Sequence, residues 1–288
     1  MKKTHWSQID ILQAAIIVAS LYLSPIFILS EKNTLEIISI NNTTRIILFT
    51  FFLVFINYIL NKKFNLPIAY NFSLVGILVL YIFLDFFSYP NLLNKTLLSA
   101  IYSGSILTIV TLAFTHGKYK ISLKNLGFTK TKSLQEFGLA ITVWLVCIGI
   151  ITVWTYILVE YGEALNLEIL IPTDNAQYLY EKTGKNFFLM LIIASLIAPI
   201  SEELFFRVFI FLGLRNFSIT KNTTIAAIIS SIFFALSHID PGTYFITFIL
   251  GISFCWLYLR TKTILIPIFI HSLHNTISVI LIYISQYL

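Results

Sequence analysis

Charge is what this sequence has least of: 11% of its 288 residues are charged, whereas 58% are hydrophobic. So little charge among so many apolar residues excludes a soluble domain of this length and predicts a polytopic membrane protein. Cysteine is also scarce, since Cys147 and Cys255 are the two in the chain, and both lie in apolar segments. Their number and placement exclude a disulfide framework and a CxxC metal motif. The net charge of +6 comes from basic residues distributed as topology signals, so it does not indicate nucleic-acid binding.

Long apolar runs, by contrast, are abundant, and nine of them follow one another along the chain. They lie at residues 9–30, 46–60, 72–88, 97–114, 137–159, 187–214, 223–239, 244–259 and 263–285. Runs this long and this uniformly apolar are typical of membrane-spanning helices rather than of barrel strands. We therefore predict an all-α fold, a polytopic transmembrane helical bundle of about eight or nine helices.

The basic residues between these segments predict the orientation of the chain. If the N-terminus is cytoplasmic, thirteen lysines and arginines fall on the cytoplasmic side and five on the other, with Arg207 inside a span. Because cytoplasmic loops carry the excess of basic residues, we predict a cytoplasmic N-terminus and a multi-pass protein of the cell membrane. The first segment has the basic start of a signal peptide, but its apolar run is too long and no small-residue cleavage site follows, so we expect a retained anchor.

Three charged residues lie inside one apolar segment, at Glu202, Glu203 and Arg207. A charge at the centre of a membrane helix costs roughly 2.5–3.5 kcal/mol on insertion scales, so three of them indicate a functional site with polar partners. Glu203 and Arg207 stand four residues apart, the spacing of an ion pair on one helical face, and we interpret them as a structural clamp. Glu202 then remains as a carboxylate in an apolar setting, which suits a general base. Its alternative role is that of a hydrogen-bonded group in helix packing.

Two later apolar segments supply polar partners for these charges. His238 lies at the end of one, and His271 and Asn275 stand four residues apart in the last. Imidazole and amide are both neutral donors that suit the stabilisation of an oxyanion, although such residues on membrane helices also serve as interhelical hydrogen bonds. His274 is expected to pack or to act behind the others. At 1.5 Å per helical residue, Glu202 and Asn275 both lie about 20 Å from the basic residue at the cytoplasmic end of their segments, so we expect the set to converge within the bilayer.

A metal site is an alternative use of the same side chains. Glu202, Glu203, His238 and His271 are all of zinc-ligand type. The sequence contains no HExxH or HxxxH pair, and the histidines come from different segments or stand at unsuitable spacings. We therefore expect neither a metal nor another cofactor.

Three short motifs, in a fixed order on successive apolar segments, carry a family resemblance. They are Glu202-Glu203-x-x-x-Arg207, Phe234-x-x-x-His238 and His271-x-x-x-Asn275. Together they resemble the motifs of the CPBP family, the CAAX proteases and bacteriocin-processing enzymes, and are similar to those of Rce1-type glutamic intramembrane proteases. The resemblance covers residues 187–280, about a third of the chain. Lys262 departs from the family pattern, which often has glycine there.

The resemblance implies an intramembrane endopeptidase that hydrolyses a peptide bond without a metal or a covalent intermediate. In such enzymes the first glutamate of the pair and the histidine of the second motif activate a water, which implies these roles for Glu202 and His238. The histidine and asparagine of the last motif form an oxyanion hole, which implies that role for His271 and Asn275.

The division of the chain and its partners follow from the same resemblance. Residues 187–288 are expected to form the catalytic core, and residues 1–186 to form N-terminal helices and loops, in one integrated membrane domain. The expected partners are the lipid bilayer and a membrane-associated peptide or protein, for example a lipidated protein or a peptide precursor. A non-catalytic peptide-binding, immunity or scaffold protein of the same fold is the alternative. A proton-coupled transporter is a third interpretation, which the lack of similarity between the chain's halves disfavours.

Overall fold

Helices form the secondary structure throughout the part of the chain that the structure describes, and no strand occurs there. The structure is a computed structural model that describes residues 6–29, 58, 66–87, 95–131, 133–171, 181, 186–215, 222–238 and 240–286. Its main helices are α1 Gln8–Leu29, α2 Ile68–Phe87, α3 Lys95–Leu112, α4 Leu134–Tyr161, α5 Phe187–Arg215, α6 Thr223–Leu236, α7 Tyr244–Thr261 and α8 Leu265–Ser285. The predicted all-α polytopic fold is confirmed. The predicted segment at 46–60 lies outside the described residues, apart from Tyr58.

Among the described residues, five helices are long and apolar enough to cross a membrane. They are α3 together with the π-helical turn that continues it (Thr96–Lys118), α4 (Leu134–Tyr161), α5 (Phe187–Arg215), α7 together with the turn that precedes it (Pro241–Thr261) and α8 (Leu265–Ser285). Shorter apolar stretches lie in α1 (Gln8–Tyr22), α2 (Ile68–Leu80) and α6 (Thr223–Leu236). The chain is therefore a multi-pass integral membrane protein, and its lipid-facing helices explain why so many large hydrophobic side chains are exposed.

The chain divides into two compact units, residues 6–121 and residues 122–288. The separate division at residue 186, which follows the sequence motifs, stays a prediction. In the first unit, Asp10 at the start of α1 accepts hydrogen bonds from Lys118 Nζ at 2.8 Å and from the Tyr119 hydroxyl at 2.6 Å. Burial, followed by the hydrogen bond and the charge of Asp10, raises the pKa of Tyr119, so the phenol stays protonated and donates.

In the second unit, the segment that precedes α4 is docked on the turn between α7 and α8. The Tyr258 hydroxyl donates to the Leu126 carbonyl at 2.7 Å, and the Ile264 amide donates to the Gly127 carbonyl at 2.9 Å. Gly127 has a φ of +90°, and a Cβ there would lie 2.7 Å from the Tyr258 ring, so only glycine fits without a shift. This docking fixes the residue that directly precedes α8, the helix of His271 and Asn275.

Helix α5 is not a uniform α-helix. Two π-helical stretches, Ile192–Ile197 and Glu203–Phe211, interrupt it. The first ends just before Pro199, which has no amide hydrogen to give to the preceding turn. Such wide turns are frequent at functional sites, and here the second one begins at Glu203, directly after Glu202.

Helix α6 is short and ends beside the polar residues. It stops at Leu236, so His238 lies beyond its last turn rather than within it. Gly251 lets α7 approach α6 closely, because a Cβ at that position would lie 3.0 Å from the Ser231 side chain.

Candidate active site

One cavity within the second unit brings together side chains from α5, α6, α7 and α8. Its volume is about 320 Å³. The residues in its wall that can take part in chemistry are Glu202, His238, His271, His274 and Asn275. The rest of the wall is mainly apolar, and includes Ile193, Ala198, Leu250, Phe254 and Val279.

The two adjacent glutamates have different environments. The Glu202 side chain lines the cavity and is 23% exposed, whereas that of Glu203 is 0% exposed and lies behind the wall. Glu202 Oε2 lies 3.8 Å from His271 Nε2. Of the two carboxylates, Glu202 is therefore the one that a molecule in the cavity can touch.

Glu203 connects a buried arginine to a histidine of the cavity wall. Its Oε2 lies 3.1 Å from Arg207 Nε, and its Oε1 lies 2.9 Å from His271 Nδ1. Arg207 is fully buried, as is Glu203. The pair that the sequence predicts as a clamp thus has a further contact, which the sequence analysis did not anticipate, with a residue 68 positions later.

Aromatic rings surround the buried guanidinium. The Arg207 Cζ lies 4.2 Å from the centre of the Phe234 ring and 5.0 Å from that of Phe254. Its nitrogens make no hydrogen bond of good geometry with the described residues, so the ion pair with Glu203 and the two cation–π contacts are its favourable contacts there. Phe254 also stacks on His271, with ring centres 5.1 Å apart and planes at 26°.

A backbone carbonyl defines which nitrogen of His238 carries a proton. His238 Nδ1 lies 2.9 Å from the Phe234 carbonyl oxygen, near the end of α6. A carbonyl only accepts hydrogen bonds, so Nδ1 carries the hydrogen. In the neutral ring, Nε2 is then an acceptor.

Asn275 fills a gap in the hydrogen bonding of α5. In the π-helical stretch, the Ala198 amide donates to the Ile193 carbonyl, five residues earlier. The same register would give the Ala194 carbonyl the amide of residue 199, which is proline and has no hydrogen. Asn275 Nδ2 donates to the Ala194 oxygen instead, at 2.7 Å.

The structure thus places the four residues of the predicted catalytic set around one cavity, with Glu203 and Arg207 behind its wall. The contributions of Phe254 and of the Ala194 carbonyl were not predicted from the sequence. Phe254 gave no signal, because an aromatic residue in an apolar span is ordinary. Pro199 was the available signal for Ala194, since a proline inside a helix leaves a carbonyl without a donor. Across the described ranges, no three His, Cys, Asp or Glu side chains form a group that could hold a metal ion.

Comparison with known proteins gives one family match and two relatives that agree with it. Residues 184–277 match the family model described as "Type II CAAX prenyl endopeptidase Rce1-like". The chain is 40% identical over 93 residues to a protein of Bacillus subtilis (strain 168) named "Putative membrane peptidase YdiL", covering 32% of this chain and 37% of that protein. It is 41% identical over 90 residues to the "Membrane-embedded CAAX protease MroQ" of Staphylococcus aureus (strain USA300), covering 30% of this chain and 36% of that protein.

The matched segment therefore spans just over a third of the length of each of these relatives. No solved structure matches the chain. The matched residues contain all three motifs and the α5, α6, α7 and α8 residues that line the cavity up to Asn275. Residues 184–277 are therefore similar to the Rce1-like group of the CPBP family.

Proposed function

We propose that the chain is an intramembrane endopeptidase that hydrolyses a peptide bond in a membrane-associated peptide or protein. The observation that carries the proposal is that Glu202 and His238 line the same cavity as His271 and Asn275. A water between the first two residues is activated, and it attacks the peptide carbonyl without a covalent intermediate. The similarity to relatives named as a membrane peptidase and a CAAX protease supports a protease of this kind.

Glu202 and His238 have complementary roles towards this water. Because His238 donates through Nδ1 to the Phe234 carbonyl, its Nε2 accepts a hydrogen bond from the water and orients it. Glu202, the carboxylate in the cavity wall, takes the proton as the water oxygen bonds to the carbonyl carbon.

The oxyanion that forms is held by α8. Asn275 Nδ2 carries two hydrogens, of which one goes to the Ala194 carbonyl and the other is available to the oxyanion. His271 donates through Nδ1 to Glu203, so in its neutral form Nε2 accepts and does not donate. His271 therefore donates to the oxyanion once Nε2 has received a proton.

Glu202 is the source of that proton. Its Oε2 is 3.8 Å from His271 Nε2, so a small shift brings the two atoms into hydrogen-bond distance. The proton taken from the water passes to His271, whose positive charge is balanced by Glu203 on its other side. The resulting imidazolium stabilises the oxyanion and then gives its proton to the leaving nitrogen, which restores the starting state.

The substrate class is proposed as a membrane-associated peptide or protein, either lipidated or a peptide precursor. The test compares peptides from cells that make the wild type with those from cells that make Glu202→Gln at the same level, by mass spectrometry. Glu163→Gln, which changes an exposed glutamate far from the motifs in sequence, is the control. Peptide ends produced by the wild type and by the control, but not by Glu202→Gln, support the proposal. Identical peptides in all three contradict it, and favour a peptide-binding protein that does not cleave.

A further inference from the structure

His274 is a cavity residue for which the proposed mechanism has no use. It lies on α8 one turn after His271, and its ring lines the same cavity. Trp144 on α4 lies beside it, with Nε1 3.3 Å from His274 Nδ1. The indole nitrogen only donates, so Nδ1 of His274 accepts and the hydrogen of the neutral ring is on Nε2.

Trp144, the partner of Nδ1, is not part of the cavity wall, so Nε2 on the other side of the ring is the nitrogen that a molecule in the cavity can reach. Residues 271, 274, 275 and 278 share one face of α8, and all four line the cavity. Within the described part of the chain, His274 Nε2 has no hydrogen-bond partner. Ser278, the next polar group on this face, donates its hydroxyl to the His274 carbonyl at 3.1 Å. His274 is therefore the free donor on the wall beyond the residues assigned to the reaction.

The side chains of the cavity wall indicate whether the His274 N–H binds a charged or a neutral acceptor. No lysine or arginine occurs among the described residues of its wall, and Arg207 is enclosed behind it. A carboxylate in such a cavity would be buried without a cation, at a high cost in free energy. A neutral acceptor between apolar walls, such as the backbone carbonyl of an apolar peptide, has no such cost.

We propose that His274 binds a backbone carbonyl of the substrate peptide other than the one that is cleaved, and that Trp144 positions it for this. The inference rests on the proposed function, because it requires a peptide in this cavity. His274 lies three positions after His271 on α8, which is about 4.5 Å along the helix axis. An extended peptide advances about 3.4 Å per residue, so the bound carbonyl lies one or two residues from the scissile bond.

The Trp144–His274 hydrogen bond connects a residue outside the segment that matches the family model to a residue inside it. Trp144 precedes residues 184–277, whereas His274 is within them. The three motifs contain neither residue. Selection of the substrate backbone by Trp144 and His274 is thus a property that this chain has in addition to its family motifs.

The experiment follows the five histidines of this chain by NMR after labelling with ¹⁵N-histidine. The Glu202→Gln background prevents cleavage, and histidine substitutions assign the signals. The probe is a six-residue apolar peptide with an acetylated N-terminus and an amidated C-terminus. We expect His274 to carry its hydrogen on Nε2, and this signal to shift as the peptide is added. In Trp144→Phe an aromatic ring is kept but the N–H that donates to His274 Nδ1 is removed, so we expect His274 to lose its preference for the Nε2 tautomer.

Two substitutions separate binding from packing. His274→Leu is expected to weaken peptide binding about five- to tenfold, the range that one neutral hydrogen bond supplies. His274→Gln, which keeps an N–H donor, is expected to bind within about twofold of the parent protein. A purely structural role would instead lower the melting temperature of both variants and leave the affinity of the folded protein unchanged.

The results that would overturn the inference differ from those that would overturn the proposed function. The inference is wrong if His274 is protonated on Nδ1, if no peptide binds, or if His274→Leu binds as well as His274→Gln. The proposed function is wrong if peptides bind as expected but the wild type, compared with Glu202→Gln in cells, cleaves nothing. Cleavage by the wild type that does not depend on His274 contradicts the inference alone.

Discussion

Glu203 Oε1 lies 2.9 Å from His271 Nδ1, while the other oxygen of the same carboxylate faces Arg207. One buried carboxylate therefore serves two purposes. It balances a charge that would otherwise be isolated inside the protein, and it determines which nitrogen of a cavity histidine carries the hydrogen. The stability of α5 and the orientation of α8 thus depend on the same side chain.

Two variants distinguish these purposes. One lacks Glu203 alone, and the other lacks both Glu203 and Arg207. Glu203→Leu isolates Arg207, and the loss of one partner of a buried pair costs about 3–5 kcal/mol of unfolding free energy. Glu203→Leu with Arg207→Leu leaves no unpaired charge, so we expect its melting temperature to return close to that of the wild type. We expect its peptidase activity to remain lost, because His271 has no acceptor for Nδ1.

Thermal melts and peptide cleavage by the purified single and double variants measure these effects. Arg207→Leu alone is the matched control, since it also leaves one charge unpaired. A double variant that regains both stability and activity would show that Glu203 is a clamp and nothing more.

Asn275 and Pro199 are expected to be coupled through the Ala194 carbonyl. Asn275→Leu leaves that partly buried oxygen without its donor, and we expect the free energy of unfolding to fall by about 0.5–1.5 kcal/mol, the net contribution of one hydrogen bond. Pro199→Ala supplies an amide hydrogen at the position that the π-helical register requires. The double variant Pro199→Ala Asn275→Leu should therefore melt at a higher temperature than Asn275→Leu, yet remain inactive for want of the oxyanion donor. Equal melting temperatures for these two variants would argue against this account of Ala194.

Gly127 is expected to be intolerant of a side chain. Gly127→Ala combines a positive φ with a Cβ 2.7 Å from the Tyr258 ring, so we expect the free energy of unfolding to fall by about 1–2 kcal/mol. Gly138→Ala on α4 is the matched control, because a Cβ there meets nothing within 4 Å, and its stability should be unchanged or higher. Scanning calorimetry of the two variants compares them directly. A Gly127→Ala protein as stable as the control would mean that the docked segment before α4 does not hold the turn that precedes α8.

Peptidase activity is expected to withstand removal of divalent metals. The proposed water is activated by Glu202 and His238, and in the described residues no third ligand of the right type completes a metal-binding group with them. Cleavage after incubation with a strong chelator should therefore equal cleavage before it. Loss of activity that added zinc restores would replace this mechanism with a metal-dependent one.

The positions of the helices followed closely from the apolar runs of the sequence. The predicted segment 187–214 is α5, Phe187–Arg215, and the predicted segment 263–285 is α8, Leu265–Ser285. Such long apolar runs predict helices reliably, because a helix satisfies its own backbone hydrogen bonds within the bilayer and few other structures do. The cytoplasmic location of the N-terminus, which rests on the basic residues alone, stays a prediction.

The contacts around the site were harder to predict, because they depend on how one helix faces another. The spacing of Glu203 and Arg207 is local and indicates their pairing, but nothing local links Glu203 to His271. The π-helical register of α5 likewise changes which carbonyls lack donors, and a sequence pattern with a period of 3.6 residues does not reveal it. Trp144 and His274 lie on helices that are distant in sequence, so their hydrogen bond had no signal in the sequence.

The most direct test of the account is a double-mutant cycle with Glu202→Gln and His238→Gln, in purified protein, on a peptide that the wild type cleaves. Each residue alone is expected to contribute a factor of about 10²–10⁴ to kcat. Because both act on one water, the double variant should be about as slow as the slower single variant. A double variant slowed by the product of the two factors, or a Glu202→Gln protein that still cleaves at nearly the wild-type rate, would contradict the claim that the two side chains share that water.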